Sequence, residues 1–296
     1  MRLVSKKEIE KPSTTYNLHI KNDHNYIANG AVVSNCHQAK GNELRAMLSG
    51  SFAHVPLRWG LTGTVHKDKH AWYPLLTCIG HVVGRVKASE LQAQGKLANC
   101  HIDIMQLQDD AAYGNYQAEL KYLLTDKTRL RHIAQQIEAI ANTGNTLVLV
   151  DRIKAGEMLQ EMVPGSILVN GTTKSTTRHE HYDSMGNLNN LTIIATYGVA
   201  AVGIDIPRIF NLVLLEPGKS FVRVIQSIGR GIRIANDKDF VQIWDATSSC
   251  KFSKRHLTAR KKFYKEAGYP FKVHKIDFLG SNTTWLDQAG NKHDKK

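Results

Sequence analysis

The 296-residue sequence predicts an α/β fold, in which a parallel β-sheet carries helices on both faces and follows a short all-β segment. Between residues 146 and 244, short apolar runs alternate with stretches of helical spacing, which is typical of successive βαβ units. Most residues of each run are apolar, as in strands that are buried on both faces of a sheet. Residues 1–35 differ, because apolar and polar residues alternate there with a period of two.

The first 35 residues form a segment of their own. The alternation over 16–21 predicts a strand, and Asp23-His24-Asn25 predicts a turn after it. Asn29-Gly30 predicts the turn of a β-hairpin, because both residues tolerate a positive φ. Residues 31–33 follow as a short apolar strand, so we expect this segment to fold as strands and turns.

The rest of the chain has the element order of an α/β domain. A long amphipathic helix is predicted over 119–140, where leucine and isoleucine recur at helical spacing. Strands are predicted over 55–61, 97–107, 146–150, 166–169, 191–195, 210–215 and 240–244. Further helices are predicted from residues 154, 175 and 221, directly after 195, and over 253–267, followed by a loose tail.

The balance of charge favours a polyanionic partner. The sequence has 39 Lys and Arg against 26 Asp and Glu, a formal net charge of +13, and such an excess most often indicates nucleic acid. Residues 251–275 carry nine of these cations against one acid, interleaved with Phe252, Phe263, Tyr264 and Tyr269. This density predicts a surface that binds DNA; the alternative is a solvated basic helix that only keeps the protein soluble.

Composition excludes several classes of protein. The four cysteines are scattered and form no C-x-x-C pair, which argues against a disulfide framework and a zinc site. The first residues lack the apolar core of a signal peptide. The least charged stretch, over 191–204, contains Thr and ends at Asp205, so it predicts a buried strand and turn rather than a membrane span. We therefore expect a cytoplasmic protein that makes no membrane contact.

The junction at Asn35-Cys36 resembles the C-terminal end of an intein. The residues YNLHIKNDHNYIANGAVVSN end at Asn35 and are followed directly by Cys36. In inteins the terminal Asn amide attacks its own backbone carbonyl and cleaves the next bond, and the following Cys thiolate accepts the upstream acyl group. The resemblance implies that Asn35 and Cys36 are splicing residues, and His24 matches the second-to-last histidine of the family, which donates to that carbonyl.

The intein resemblance covers residues 1–35 only. Many inteins carry His directly before the terminal Asn, where this sequence has Ser34, which leaves more of the acid–base role to His24. The N-terminal blocks of an intein are missing, so the resemblance implies a partner chain with the N-terminal half of a split intein. The alternative is a truncated gene of a contiguous intein.

The residues after the junction resemble superfamily 2 helicases, most of all phage recombination helicases. Asp-Glu from another chain, placed before Cys36-His37, would complete Asp-Glu-Cys-His, which is motif II of that superfamily. The resemblance extends over residues 36–285, and its motifs follow in the family's order. They are 60–64 (GLTGT, motif III), 147–152 (LVLVDR, motif IV), 195–198 with 202–207 (ATYG and VGIDIP, motif V) and 226–233 (QSIGRGIR, motif VI).

Motif VI predicts an arginine-rich helix face. Gln226, Arg230 and Arg233 recur at i, i+4 and i+7 and so share one face. Ser220 is predicted to cap this helix, and Gly229 to allow close packing. Two guanidinium groups on one face can grip a γ-phosphate, as arginine fingers do; the alternative is an ordinary surface helix with salt bridges.

The resemblance implies ATP and Mg²⁺ as cofactors, with the phosphate loop and the Mg²⁺-binding Asp on a part outside this sequence. His37, Gly203 and Asp205 are expected to lie toward the nucleotide, and a plain core position is an equally good interpretation of His37. The residues expected to contact nucleic acid are Thr62, Thr64, Arg152, Thr196, Lys261 and Lys262.

These features predict a precursor in four parts: an intein segment over 1–35, the end of a first RecA-like domain with a connector over 36–110, a second RecA-like domain over 111–250, and a basic helix and tail over 251–296. The expected function, once an N-terminal intein and helicase half is joined, is an ATP-dependent helicase or translocase that acts on branched or forked DNA in recombination and repair. The expected setting is the cytoplasm of a bacterial or phage-infected cell. Two alternatives remain: a nucleic-acid-binding module without activity, and the translocase subunit of a restriction or remodelling complex.

Overall fold

The computed structural model of the chain divides into two compact units, residues 1–83 and residues 84–296. The predicted strand over 16–21 lies outside the residues that the structure describes. The described residues are 25–28, 31–35, 42–50, 53–54, 57–61, 73, 76–201, 206, 208–220, 224, 227–229, 231–280 and 284–290.

The N-terminal unit contains a three-stranded sheet. Asn25–Ala28 (β1) and Ala31–Asn35 (β2) pair as an antiparallel hairpin, which confirms the predicted hairpin. Leu57–Leu61 (β3) pairs with β2 in parallel, and the helix Asn42–Ser49 (α1) lies between them in sequence. The β2–β3 pairing was not predicted, because it joins strands from the two sides of the Asn35-Cys36 junction.

A seven-stranded sheet forms the centre of the C-terminal unit. Its strands are Asn99–Leu107 (β4), Thr146–Val150 (β5), Ile167–Val169 (β6), Thr192–Thr196 (β7), Asn211–Leu215 (β8), Phe240–Ser248 (β9) and Phe271–Ile276 (β10). They lie in the order β10-β4-β9-β8-β5-β7-β6, and every neighbouring pair is parallel. The predicted parallel sheet is therefore confirmed.

Helices pack on both faces of this sheet. Successive residues of a strand point to opposite faces, and along β5 Leu147 and Leu149 belong to one buried apolar cluster while Val148 and Val150 belong to another. The described helices of this unit are Ala88–Ala93 (α2), Tyr116–Thr125 (α3), Lys127–Ala141 (α4), Ile153–Met162 (α5), Ser175–Asn187 (α6), Tyr197–Ala201 (α7), Lys251–Ala267 (α8) and Trp285–Ala289 (α9).

The predicted long helix over 119–140 is wrong, because the structure has two helices there. Asp126 separates α3 from α4 with an extended backbone, φ −66° and ψ 121°. Its carboxylate accepts a hydrogen bond from the N–H of Arg129 at 2.8 Å, so it caps the start of α4. Helical spacing continues across the break, which is why the sequence pattern did not reveal it.

The predicted loose tail is also wrong over 271–276 and 284–290. Strand β10 lies at the edge of the sheet beside β4. Helix α9 begins with a capping box between Thr284 and Asp287, and Trp285 is fully buried with its ring centroid 6.3 Å from that of Trp244. Hydrogen bonding and burial therefore order both segments.

The seven-stranded sheet extends beyond residues 111–250 in both directions. Strand β4 precedes that range, β10 follows it, and together they flank one side of β9. Among the residues that the structure describes, no helix combines the length and apolar character needed to cross a bilayer.

Candidate functional site

The carboxyl edge of the seven-stranded sheet carries residues of two predicted motifs, IV and V. Strand β5 lies between β7 and β8. The chain leaves β5 toward β6 on one side and leaves β8 toward β9 on the other. In parallel α/β sheets, ligands bind where the direction of the crossovers reverses. This point lies between β5 and β8, and the edge there is the candidate site.

Arg152 and Thr196 are brought together by strand register. Val150, the last residue of β5, lies opposite Thr196, the last residue of β7. Thr196 is buried, whereas Arg152 is exposed and donates from Nη2 to Oε1 of Gln117 at 2.7 Å. The motif IV arginine and the motif V threonine therefore lie at one edge of the sheet.

The motif VI segment packs as a helix on the sheet. The N–H of Val224 donates to the carbonyl of Ser220 at 3.0 Å, and that of Ile232 to the carbonyl of Ile228 at 3.0 Å, and Val224 and Ile228 are fully buried. Close packing was expected at Gly229, but that residue is exposed and no atom of the described residues lies within 4 Å of a Cβ placed there.

Gly231 makes the close approach instead. A Cβ at Gly231 would lie 3.1 Å from Cδ2 of Leu212 in β8. Arg233 follows at the end of this segment and is half-buried. The glycine that allows the helix to pack closely is therefore Gly231, because its position faces the sheet.

The backbone around Arg233 is held by Lys238, a residue that sequence reasoning missed. Lys238 Nζ donates to the carbonyl oxygens of Gly231 and Arg233, each at 2.7 Å. Burial lowers the pKa of Lys238 from its ordinary 10.5 to about 7, opposed by the charge of Asp237. A lone lysine in a polar loop gives no signal of this role in the sequence.

Lys238 makes stability depend on pH in a defined direction. Because its pKa is lower in the folded chain than in the unfolded chain, the unfolded state binds more protons between pH 7 and 10.5, so stability rises with pH there. We expect the free energy of unfolding of the wild type, relative to Lys238→Met, to increase from pH 7 to pH 8.5. Urea unfolding at several pH values measures it. A constant difference between the two proteins would contradict the account.

A buried ionic network lies behind the carboxyl ends of β8 and β9. Glu216, directly after β8, has a positive φ of 42° and accepts hydrogen bonds from Nη2 of Arg129 at 2.7 Å and from Oγ of Ser253 at 2.8 Å. Burial raises the pKa of Glu216, and the Arg129 guanidinium opposes that rise. The network joins α4, the loop after β8 and the start of α8.

Asp245 and Arg260 form a second buried pair in this region. Arg260 Nε and Nη2 each donate to the Asp245 carboxylate at 2.9 Å, and the Tyr264 hydroxyl donates to it at 2.8 Å. The Arg260 Nη1 group donates to the carbonyl of Gly218 at 2.8 Å. These contacts fix helix α8 against β9 and against the loop that precedes motif VI.

These contacts reduce the DNA-binding surface that was expected over residues 251–275. Arg260, Tyr264 and Tyr269 are buried, so they cannot track a nucleic acid on the surface. Lys261 is half-buried and Lys262 is exposed. Fewer cationic and aromatic side chains of residues 251–275 are therefore available to DNA than the sequence indicated.

Replacing Arg260 with methionine is expected to lower the free energy of unfolding by about 3–5 kcal/mol, because the Asp245 carboxylate stays buried without its partner. Denaturant unfolding of the 296-residue chain measures the loss. The matched control is Lys262→Met on the exposed side of the same helix, with an expected change within about 0.5 kcal/mol. Equal stabilities for the two variants would contradict the burial of this pair.

The remaining predicted site residues are placed only in part. Asn35 is the last residue of β2. Among the residues that the structure describes, no group of three or more His, Cys, Asp or Glu could hold a metal ion. The predicted site residues that lie outside the described part of the chain are His24, Cys36, His37, Thr62, Thr64, Gly203, Asp205, Gln226 and Arg230.

Comparison with known proteins agrees with this geometry. Residues 128–235, which span motifs IV to VI, match the family described as the helicase conserved C-terminal domain. The ATP-dependent DNA helicase UvsW of Enterobacteria phage T4 is 24% identical over 239 residues, which are 77% of this chain and 47% of the relative. The chain thus spans about half the length of this curated relative.

Solved structures of known proteins share the fold. The crystal structure of T4 UvsW has a TM-score of 0.54 at 20% identity, covering 83% of this chain and 53% of that one. A fragment of a putative HsdR subunit of a type I restriction enzyme from Vibrio vulnificus YJ016 has a TM-score of 0.64 at 16% identity, covering 82% and 48%. Residues 128–235 thus match the helicase conserved C-terminal domain, within a RecA-like α/β fold similar to that of the T4 helicase UvsW.

Proposed function

We propose that this chain supplies the second RecA-like domain of an ATP-dependent superfamily 2 enzyme that unwinds or remodels branched DNA. The observation that carries the proposal is the placement of motifs IV and V at one sheet edge, with motif VI packed against the same sheet. Arg152 follows β5, Thr196 ends β7, and the motif VI helix follows β8. An enzyme that couples ATP hydrolysis to movement on DNA needs residues that contact the nucleotide and residues that contact DNA within one domain.

The chain's own contribution to ATP hydrolysis would come from motif VI. ATP supplies a γ-phosphoryl group whose transfer develops negative charge on the phosphate oxygens. Arg230 and Arg233 would neutralise that charge, and Lys238 holds the backbone carbonyl of Arg233. Mg²⁺ would be bound by the motif II Asp, which the resemblance places on the N-terminal half.

The test of this proposal compares the chain with its joined form. We expect the 296-residue chain alone to hydrolyse no ATP, because its sequence contains no glycine-rich phosphate loop. The product joined to an N-terminal half with that loop should hydrolyse ATP when forked DNA is added. ATPase activity of the isolated chain, or an inactive joined product, would overturn the assignment.

The DNA would be held through its phosphates by the residues expected from the resemblance. Thr62, Thr64, Arg152 and Thr196 belong to motifs III, IV and V, and Lys261 and Lys262 lie on α8.

Changing both Lys261 and Lys262 to Ala is expected to weaken forked-duplex binding for all sequences. It should also lower the slope of log affinity against log salt by about 0.9 per lost phosphate contact. Fluorescence anisotropy at several salt concentrations measures both. An unchanged slope with lower thermal stability would show that these lysines only support the helix.

We further propose that residues 1–35 are the C-terminal segment of a split intein. The hairpin of β1 and β2 ends at Asn35, which places the residue that would cleave the chain at the end of an ordered strand. In this proposal His24 donates to the carbonyl of Asn35, and Cys36 accepts the upstream acyl group. A partner chain with the N-terminal intein half would complete the site.

Splicing would exchange one strand for another beside β3. Strand β2 pairs in parallel with β3 and ends at Asn35, the last residue that splicing removes. The incoming strand would end in Asp-Glu and be joined to Cys36, completing motif II at the same edge. The mass of the product after mixing with a candidate N-terminal half tests this, since the ligated protein must lack residues 1–35.

A second candidate function is the translocase subunit of a restriction or remodelling complex. The observation in its favour is the fold similarity to a fragment of a restriction enzyme HsdR subunit, with a TM-score of 0.64. A translocase moves on duplex DNA without separating its strands, so a strand-separation assay on a fork distinguishes the two. A binding module without activity would fail the ATPase test in joined form.

A further inference from the structure

An aromatic cluster lies where the start of α3 meets the start of α8. The ring centroids of Tyr116 and His256 are 4.7 Å apart, and those of Tyr116 and Phe252 are 6.4 Å apart. All three side chains are half-buried, so each keeps part of its surface accessible. Tyr116, Phe252 and His256 are called the aromatic platform below.

Cations border the aromatic platform. Lys251 Nζ lies 5.7 Å from the ring centroid of Phe252. Lys251 and Arg255 are one helical turn apart, as are Phe252 and His256, so the two pairs run side by side along α8. Burial and nearby cations, Lys219 among them, lower the pKa of the His256 imidazole. The surface is therefore positive as well as aromatic.

Buried hydrogen bonds hold the aromatic platform together. The Glu119 carboxylate accepts from the N–H of Phe252 at 3.0 Å and from that of Ser253 at 2.7 Å. Glu119 lies one helical turn from Tyr116 on α3 and is fully buried. It therefore also caps α8, which means that the N-terminus of this helix is already occupied and is not itself the anion site.

Two further contacts connect the aromatic platform to the sheet edge. Arg260 donates to the carbonyl of Gly218 at 2.8 Å, which fixes the loop that carries Lys219. Arg152 donates to Gln117 at 2.7 Å, directly beside Tyr116 in α3. The motif IV arginine is therefore held by the residue that follows Tyr116 in α3.

We propose that the aromatic platform binds single-stranded DNA, with a base stacked on Tyr116 and phosphates held by Lys251, Arg255 and Lys219. Aromatic rings beside a cationic track are the combination that single-strand binders use, and a duplex keeps its bases stacked on one another. This inference rests on the proposed DNA-binding function, and it assigns to that function a surface that the motifs do not include.

Charge selects this flank of α8 over the other one. Lys251 and Arg255 lie between the aromatic platform and an open groove of about 840 Å³, which Lys254, Asp109 and Asp110 also line. Two carboxylates repel a phosphate chain, so the strand is placed on the aromatic flank.

The test measures binding of the 296-residue chain to two labelled strands by fluorescence anisotropy. One strand is dT20 and the other is a 20-nucleotide abasic strand, which has phosphates but no bases. Tyr116→Leu is expected to weaken dT20 binding about 5- to 10-fold, the loss of one stacked base, and to leave abasic binding unchanged. Tyr116→Phe should restore dT20 binding, because it restores the ring.

The cations should act on both strands. Changing both Lys251 and Arg255 to Ala is expected to weaken dT20 and abasic binding alike, and to lower the salt slope by about 0.7 per lost contact. Lys174→Ala, an exposed lysine that follows the edge strand β6, is the matched control and should change binding of neither strand. Circular dichroism of every variant checks that its fold is intact.

The outcomes separate this inference from the function on which it rests. If the wild type binds neither strand at low salt, the DNA-binding function itself is overturned. If the wild type binds dT20 but Tyr116→Leu binds it equally well, the aromatic platform is overturned and the DNA-binding function stands. Loss of dT20 and abasic binding together in Tyr116→Leu would also refute stacking, because the ring would then act only through folding.

Discussion

In the joined enzyme, Arg233→Ala is expected to lower ATP turnover about 10³-fold, and Arg230→Ala by a similar factor. Each guanidinium would neutralise charge that develops on the transferred phosphoryl group. The interaction is strongest in the transition state, so kcat should fall while the KM for ATP changes little. Steady-state ATPase assays with saturating forked DNA measure both constants.

Two control variants define what this result means. Arg233→Lys keeps the charge but loses the planar fork of donors, so its turnover should lie between those of the wild type and Arg233→Ala. Arg131→Ala on the exposed face of α4 should leave turnover unchanged. Wild-type kcat in Arg233→Ala would remove this arginine from the proposed machinery and leave the fold assignment intact.

Mixed with its N-terminal partner, the Asn35→Ala variant is expected to give no ligated product. Alanine has no amide to attack the backbone carbonyl, so the bond to Cys36 should stay intact and residues 1–35 should remain attached. A gel shift and intact-protein mass spectrometry follow the fate of residues 36–296.

Cys36→Ala separates the two chemical steps. It removes the acyl acceptor, so ligation should stop, whereas the Asn35 amide can still cleave the junction. Released residues 36–296 without ligation are the expected result for this variant. Normal ligated product from Asn35→Ala would overturn the intein proposal, and the helicase proposal for residues 36–296 would be unaffected.

The sequence by itself determined the parallel sheet and most of its element positions. Strand β5 begins and ends at the predicted residues, and helix α6 begins at the predicted Ser175. These features follow from local patterns. Short apolar runs predict buried strands, and the helical spacing of apolar residues between them predicts helices. Arg152 and Thr196 lie at one edge in the structure, because parallel strands all end on the same side.

The sequence did not reveal where a helix is interrupted within a continuous hydrophobic pattern. The spacing of leucine and isoleucine continues through Asp126, although α3 ends and α4 begins there. The Asp126 side chain acts as a cap only when its neighbours adopt the matching backbone, and one aspartate in a polar face gives no such signal. Strand β10 was missed for a related reason, since an edge strand gains its order from β4.

Only the tertiary structure determined which charged side chains are buried in ion pairs and which are exposed and available to a ligand. Arg260 and Lys262 look alike in a basic run, yet Arg260 is buried against Asp245 and Lys262 is exposed. Partners distant in sequence set this division: Glu216 meets Arg129 from 87 residues away. A buried charge needs a partner at hydrogen-bonding distance, and the folded chain, not its local pattern, determines where that partner lies.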